Sequence, residues 1–468
     1  MGTEGRMRLG GLPGPCRPSD ARAIRPAPRL VPLSKMPPMN RQRLLERFLR
    51  YVRIDTTARE GADESPSSPG QRELGRLLVE ELRAAGVADA RQDEHGIVLA
   101  TIPATVAEPR PAIAFCAHLD TSPEVPGASV RPQVIEHYGG GDIVLPSAPS
   151  LVLCAAENPK LADCQGHTLI TSDGSTLLGA DDKSGVAAIV EAAAWLVEHP
   201  EIAHGPVRLV FTCDEEIGRG VEWLDPGRIG AEACYTLDGE GADTIDVETF
   251  SADMAVVTVE GVNIHPSIAK GRMTNAVRAA ADFIARLPRD RLAPEATEGR
   301  EGFIHPLEIA GGVARATVRI ILRDFDTARL EDHAALLRAA AEEAGRVFPG
   351  ARFEIVVKKQ YRNMADGLRH DPRAVEFAEE ALRRRGRRPR RAIVRGGTDG
   401  ARLSEMGLPT PNLSSGQHNP HSLLEWASLD EMVAAAEWVV ALAGVWAEEA
   451  PLPTNRAVPT PGAARHTA

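Results

Sequence analysis

Four short segments place imidazole and carboxylate groups at the ends of apolar runs. They are His118-Leu119-Asp120-Thr121, Leu178-Gly179-Ala180-Asp181-Asp182-Lys183-Ser184-Gly185, Cys213-Asp214-Glu215-Glu216-Ile217-Gly218 and Leu237-Asp238-Gly239-Glu240. On a strand, residues two apart face the same way. Asp120 can therefore accept a hydrogen bond from the ring nitrogen of His118 that faces away from a metal, fixing the tautomer and raising the basicity of the ligating nitrogen. Each segment alone has a plainer account. His-x-Asp can be a surface pair, and consecutive Asp residues can cap the helix that follows them. Three adjacent acids repel one another unless a cation or the solvent relieves them. Their joint occurrence, in order, at the ends of successive runs is harder to dismiss and points to one cation-binding cluster. Imidazole with carboxylates suits zinc, cobalt or manganese, with zinc the default for hydrolysis.

The elements that must position these groups follow from periodicity. The runs GIVLATIP, PAIAFCAHLD, LVFTCDEE and CYTLDGE read as strands, and KSGVAAIVEAAAWLVEH between them reads as a helix. Two helices precede them: NRQRLLERFLRYVRI, with Leu44, Leu45, Phe48, Leu49 and Val52 on one face, and GQRELGRLLVEELRAAG, ending at Gly86. Strands alternating with helices give an α/β fold whose main domain has a largely parallel sheet flanked by helices. Ligands of such sheets bind beyond the carboxyl ends of the strands, where all four segments lie. After Phe250 the pattern changes to strand, helix, strand, helix, strand (ADMAVVTVEG, NAVRAAADFIARL, ARATVRIILRDFD, EDHAALLRAAAEEAGRVF, RFEIVVKK). This implies a smaller α+β sandwich inserted over 251–362, within a catalytic domain formed by 39–250 and 363–448. The return brings a helix (PRAVEFAEEALRRR), a glycine loop (RGGTDG) and a last helix (SLDEMVAAAEWVVALAGVW).

Composition excludes several classes. At 468 residues the chain exceeds one compact core, and 43% hydrophobic with 25% charged residues is ordinary for a globular protein. A net charge of −11 and 4% aromatics give no support to a polyanion-binding or base-stacking surface. The one dense basic run, RRRGRRPRR at 383–391, reads as a solvated helix end. No apolar run reaches the roughly 18 residues of a membrane span. The cysteines, Cys16, Cys116, Cys154, Cys164, Cys213 and Cys234, form no CxxC pair and no disulfide framework, which fits a reducing cytoplasm. Cys116 and Cys213 lie in apolar runs and read as buried. Residues 1–38, rich in Arg, Pro and Gly, and the tail 449–468 are expected to be disordered extensions.

The motifs HLDT, LLGADDKSG, DEEIG and LDGEG resemble the metal motifs of the cocatalytic two-zinc peptidases, the family that includes aminoacylases, carnosinases and carboxypeptidase G. Longer stretches (LLERFLRYVRIDT, TSDGSTLLGADDKSGVA, EGVNIHPSIAKGRMTNA, EGFIHP, RDFD and RGGTDGARLSEMGLPTPN) narrow the resemblance to the tripeptide-cleaving aminopeptidases of that family. The likeness runs from about residue 40 to 448. It implies two Zn2+ per subunit: His118 and Asp238 on the first zinc, Glu216 and a C-terminal histidine on the second, and Asp181 bridging. Asp120 stands behind His118, and Glu215 is the general base. For the last ligand, His421 followed by Glu425 and Trp426 fits the family spacing, with His418 as rival. The resemblance further implies that His265 stabilises the oxyanion, and that Arg323, Arg395 and Asn275 hold the peptide. A reader of the residues alone would take His265-Pro266 for a turn.

Three departures stand out. The chain has His265-Pro266-Ser267 where relatives have His-Pro-Gly, Glu240 where a glycine is usual, and a different Gln417-His418-Asn419-Pro420 segment. The resemblance implies short peptide substrates, a cytoplasmic setting, no nucleic-acid or membrane partner, and a homodimer through the inserted lid/dimerisation domain. The runner-up activities are a dipeptidase or N-acyl-amino-acid amidase of the same superfamily. A catalytically dead metal-binding scaffold is a third, and retention of Glu215 with every ligand argues against it.

Overall fold

The computed structural model describes residues 1–2 and 37–450. Most of the expected N-terminal extension and of the expected tail lies outside them.

The large sheet has eleven strands. Its centre is parallel: Val207–Thr212, Ile113–His118, Ala233–Glu240 and Asn412–His418 lie side by side in that order. Both flanks are antiparallel. Val98–Ile102 pairs with Val207–Thr212 on one side, and Trp426–Ser428 leads to Leu169–Thr171 and Gln133–Ile135 on the other. Along Ile113–His118 the side chains alternate between two apolar layers. Ile113, Phe115 and Ala117 join one cluster, and Ala114 and Cys116 the other. A strand wholly buried on both faces is what a continuous apolar run encodes.

The first layer is closed by helices Ala180–Glu198, Leu429–Trp446, Arg41–Tyr51, Pro69–Ala84 and Arg373–Arg384. Each fully buried Leu, Ile, Val or Phe on these faces contributes roughly 1.5–3 kcal/mol. Phe48, Leu74, Leu78, Phe115, Ile189 and Leu442 are all at 0% exposure. Cys116 and Cys213 are buried, and Cys116, Cys154, Cys164, Cys213 and Cys234 are unpaired. No helix among the described residues is long and apolar enough to cross a membrane.

The strand Asn412–His418 is absent from the sequence expectation, yet every residue of it is buried. Its composition (Asn, Leu, Ser, Ser, Gly, Gln, His) carries no apolar alternation. The polar groups are matched by partners far away in the chain: Asn412 Oδ1 accepts from Thr236 Oγ1 at 2.9 Å, and Ser415 Oγ meets Ser184 Oγ at 2.9 Å. A buried polar strand is tolerated because its hydrogen bonds are satisfied.

A second sheet of four antiparallel strands spans Ser251–Glu260, Phe303–Gly311, Arg315–Asp324 and Arg352–Tyr361, with Phe303–Gly311 and Arg352–Tyr361 at its edges. Helices Ala276–Ala285 and Arg329–Val347 cover one face through a core of its own, including Val257, Phe283, Val318 and Leu337. The strand Phe303–Gly311 adds to the expected strand–helix alternation.

The basic run 383–391 is charge-matched. Arg383 pairs with Glu379, Arg384 with Glu380 and Glu448, Arg385 with Glu437, Arg387 with Asp243, and Arg391 with Glu379.

Candidate metal centre

His118 is the last residue of its strand and brings its imidazole to the carboxyl end of the sheet, 3% exposed. Its Nε2 lies 3.0 Å from Asp181 Oδ1 and 3.7 Å from Asp238 Oδ1. On the other side, His421 Nε2 lies 2.8 Å from Glu216 Oε2 and 3.5 Å from Asp181 Oδ2. The two oxygens of Asp181 thus face two different imidazoles, each with a further carboxylate beside it. The rival His418 faces elsewhere. Its Nε2 is 2.6 Å from Glu431 Oε2, and its ring stacks on Trp426 at 3.8 Å between centroids.

The turn that carries Glu215 is built by remote contacts. Asp214 sits at φ 65°, in the left-handed region that suits glycine. Its carboxylate accepts from Ser67 N–H at 2.8 Å and Gln71 Nε2 at 2.7 Å, and Asp214 N–H donates to Gln71 Oε1 at 3.0 Å. The next residues, Glu215–Ile217, form a single 3-10 turn. Asp120 holds that turn: its Oδ1 accepts from Glu215 N–H at 3.1 Å and its Oδ2 from Glu216 N–H at 3.0 Å. Strand spacing assigns Asp120 one duty, facing His118. The nearer atom to His118 Nδ1 is in fact the Asp120 backbone carbonyl, at 3.1 Å, with the carboxylate at 3.4 Å. Strand alternation explains the second contact but could not show the first.

Three supporting residues make contacts that were not assigned to them from sequence. Gln417 Nε2 donates to Asp238 Oδ1 at 3.1 Å and to its carbonyl at 3.0 Å. Glu124 Oε2 lies 3.3 Å from His421 Nδ1, opposite the nitrogen that faces Glu216. Asp182 accepts the N–H groups of His118 and Gly185, both at 3.2 Å, and is wholly buried. Only Asp182, adjacent to Asp181, left a sequence signal.

Burial dominates the electrostatics. It pushes Glu216 up to about 8, helped by the charge of Asp181, and Asp238 up to about 7 for the same two reasons. Glu215 is held well above the usual carboxylate range by burial, with Asp399, Asp238 and Glu216 adding to the effect against the opposing pull of His118. His421 rises to about 11, because Asp181 and Glu216 outweigh the opposing effect of burial. Without added positive charge, these carboxylates resist ionisation together. Glu216 Oε1 is buried with no hydrogen-bond partner among the described residues. Two imidazoles, three carboxylates and an unpartnered carboxylate oxygen form a donor set that fits a pair of divalent cations. His118, Asp181 and Glu216, and separately His118, Asp182 and Asp238, have donor atoms within 4.8 Å of one another.

The other expected site residues lie outside this cluster. His265 is exposed on the loop after Ser251–Glu260, where its Nδ1 accepts from Ser267 N–H at 3.3 Å and lies 2.7 Å from Ser267 Oγ. Asn275 caps helix Ala276–Ala285, its Oδ1 accepting from Val277 N–H at 2.9 Å. Arg323 donates to Gln360 Oε1 at 2.9 Å and lies over the Tyr361 ring. Arg395 donates to the carbonyls of Gly299 and Glu301 at 2.9 Å and to Thr297 Oγ1 at 3.0 Å, lying over Phe250 and Phe303. Glu240 is exposed, at the end of its strand.

Comparison with known proteins gives a consistent result. Residues 171–444 match the description Peptidase family M20/M25/M40. Peptidase T of Geobacillus thermodenitrificans (strain NG80-2) is 45% identical over 86% of this chain and 97% of its own. The structure resembles the aminopeptidase PepT from Bacillus cereus ATCC 10987, with a TM-score of 0.67 and 26% identity, covering 87% of this chain and 99% of that one. It also shares its fold with a tripeptidase from Staphylococcus aureus, with a TM-score of 0.69 and 24% identity over 88% and 100% of the two chains.

Proposed function

Because this chain belongs to peptidase family M20/M25/M40, and so is a metal-dependent hydrolase of peptide bonds, we propose that it removes the N-terminal residue from tripeptides. The pair of cations would be zinc, held by His118, Asp181, Asp238, Glu216 and His421. One observation carries this reading: Asp181 turns one oxygen to His118 and the other to His421. That is the arrangement a bridging carboxylate needs. The names Peptidase T, aminopeptidase and tripeptidase among its relatives support the substrate class.

When bound, the zinc pair lowers the pKa of a water toward neutrality and polarises the scissile carbonyl. Glu215 then takes the water's proton and delivers it to the leaving amine. Asp120 is a positioning residue, fixing the backbone of Glu215 and Glu216. His265 donates from Nε2 to the developing oxyanion, because its Nδ1 accepts from Ser267 N–H and the neutral ring then carries its proton on Nε2. Ser267, which stands where relatives have glycine, adds a hydroxyl 2.7 Å from that Nδ1.

Arg323 anchors the C-terminal carboxylate, and Asn275 uses its free amide N–H on a peptide carbonyl. Arg395 donates to four acceptors of the 297–301 loop, which favours Arg323 over it as the anchor. The exposed Leu307 and Ile309 on the edge strand Phe303–Gly311 make that edge the homodimer contact. The unpaired state of Cys116, Cys154, Cys164, Cys213 and Cys234 supports a cytoplasmic setting.

A substrate series on zinc-loaded protein tests the reading: a tripeptide, its C-terminal amide, a dipeptide and an N-acetyl amino acid. Losing the carboxylate contact costs roughly 1.5–3 kcal/mol, or about 10- to 100-fold in rate, for the amide. Arg323→Ala abolishes the difference between acid and amide. Preferential cleavage of the dipeptide or the N-acetyl amino acid overturns the tripeptidase assignment.

A further inference from the structure

The bridging carboxylate Asp181 sits on an irregular stretch of backbone. Gly179 has φ 80°, and Asp181 and Asp182 depart from helical geometry before helix Ala180–Glu198 becomes regular. A helix start leaves its first N–H groups without partners, and here they are buried. The group that satisfies them comes from the other end of the chain. Glu425, 2% exposed, accepts from Leu178 N–H and Gly179 N–H with Oε2, each at 2.7 Å, and from Asp181 N–H with Oε1 at 2.9 Å. Both carboxylate oxygens are used, and all three donors belong to the segment that presents Asp181.

Glu425 also closes the loop that carries His421. That loop begins at Asn419 and His421, both at positive φ (53° and 58°), and Asn419 Nδ2 bonds Asn158 Oδ1 at 2.8 Å and the Leu424 carbonyl at 3.2 Å. A single buried side chain therefore joins the His421 loop to the Asp181 loop. These two loops supply the residues whose contact, His421 Nε2 to Asp181 Oδ2 at 3.5 Å, defines the second half of the centre.

We propose that Glu425 is the positioning residue of the centre: a remote cap that sets the direction of Asp181 and locks it to the His421 loop. The inference rests on the two-cation reading above. Glu425 touches neither the cations nor the substrate and acts through the backbone of residues 178–181. The cation bound by His421, Glu216 and Asp181 depends on it most, since both of the loops it joins meet there. The first half of the centre has separate support, Gln417 on Asp238 and the strand end on His118.

The experiment compares wild type with Glu425→Gln, in which one carboxylate oxygen becomes an NH2 group facing backbone N–H donors. Hydrogen exchange is measured on metal-stripped protein, and zinc binding by titration calorimetry with elemental analysis. In the variant, the amides of Leu178, Gly179 and Asp181 exchange faster while those in the body of helix Ala180–Glu198 keep their protection. One of the two zinc sites loses about 10- to 100-fold in affinity and the other is retained. A general loss of stability would instead expose the whole helix and weaken both sites alike, and that result overturns the proposal. So does unchanged exchange at the three amides together with unchanged zinc affinity.

If Glu425→Gln does not fold, metal-stripped wild type decides alone: unprotected amides at Leu178, Gly179 and Asp181 sink the clamp. The exchange readout needs neither metal nor substrate. A protein that binds no zinc pair and cleaves no peptide, yet protects these amides, refutes the peptidase reading and leaves the clamp standing.

Discussion

Replacing Asp120 by asparagine isolates one structural claim, that this carboxylate holds the turn carrying Glu215, the proposed base. Asp120 is fully buried, and its two oxygens accept from Glu215 N–H at 3.1 Å and Glu216 N–H at 3.0 Å. Asparagine has the same shape but only one acceptor, so its NH2 group must face one of those N–H donors. The loss is one charge-assisted hydrogen bond, worth about 1.5–3 kcal/mol. Expressed at the position of Glu215, that energy corresponds to a fall in kcat of about 10- to 100-fold. The assay is steady-state cleavage of a tripeptide at saturating zinc, with metal content measured on the same sample. KM should change little, because the turn touches the proton path and not the peptide ends. A kcat within about threefold of wild type at full zinc loading would refute the role. A defect seen only below saturating zinc and absent at saturation would also refute it, because it would place the whole effect of Asp120 on the imidazole of His118.

Glu215→Gln should keep both zincs and lose about 10²–10⁴-fold in kcat; equal loss of zinc and activity would make Glu215 a ligand. His421→Ala should bind fewer than two zincs, while His418→Ala, which removes a stacked and buried ring, should lower the melting temperature yet keep the pair. Elemental analysis of both variants separates the two histidines. Asp246 gives a pH-dependent test away from the centre. Burial raises its carboxyl from 3.8 to about 6 against the opposing pull of its bond from Asn412. The folded state therefore binds this proton more tightly than the unfolded one, and its contribution, complete below pH 4, is lost as pH rises through about 6. Asp246→Asn should match wild type in stability near pH 4 and exceed it at pH 8 by roughly 3 kcal/mol, followed by denaturant titration at each pH. An equal gap at both values would show that burial does not shift this group.

The residue types of the centre were legible because each sits at the end of an apolar run. A buried strand must read as continuous Val, Leu, Ile, Phe, Ala and Cys, and the first polar residues after it must lie at the rim of the sheet. His118, Glu215, Glu216 and Asp238 follow that rule, and Asp181 opens the helix that the pattern of KSGVAAIVEAAAWLVEH requires. Sequence by itself thus pointed to the α/β layering and to four of the proposed donors, His118, Asp181, Glu216 and Asp238, while His421 came from the family spacing.

What it left open depends on contacts between distant residues, which local periodicity does not record. The family spacing favoured His421 over His418, and remote contacts support it: His421 faces Glu216 and Asp181, while His418 pairs with Glu431. The two-sided use of Asp120, the capture of Arg395 by the 297–301 loop, and the grip of Glu425 on residues 178–181 each join groups about 95 to 247 positions apart. The strand Asn412–His418 shows the limit most plainly. It is polar, unpatterned and central, and only the hydrogen bonds waiting for it on Thr236, Asp238 and Ser184 make its burial stable. Hydrophobic burial is written locally, along the chain; the satisfaction of buried polar groups is decided by which remote partners the fold brings within reach.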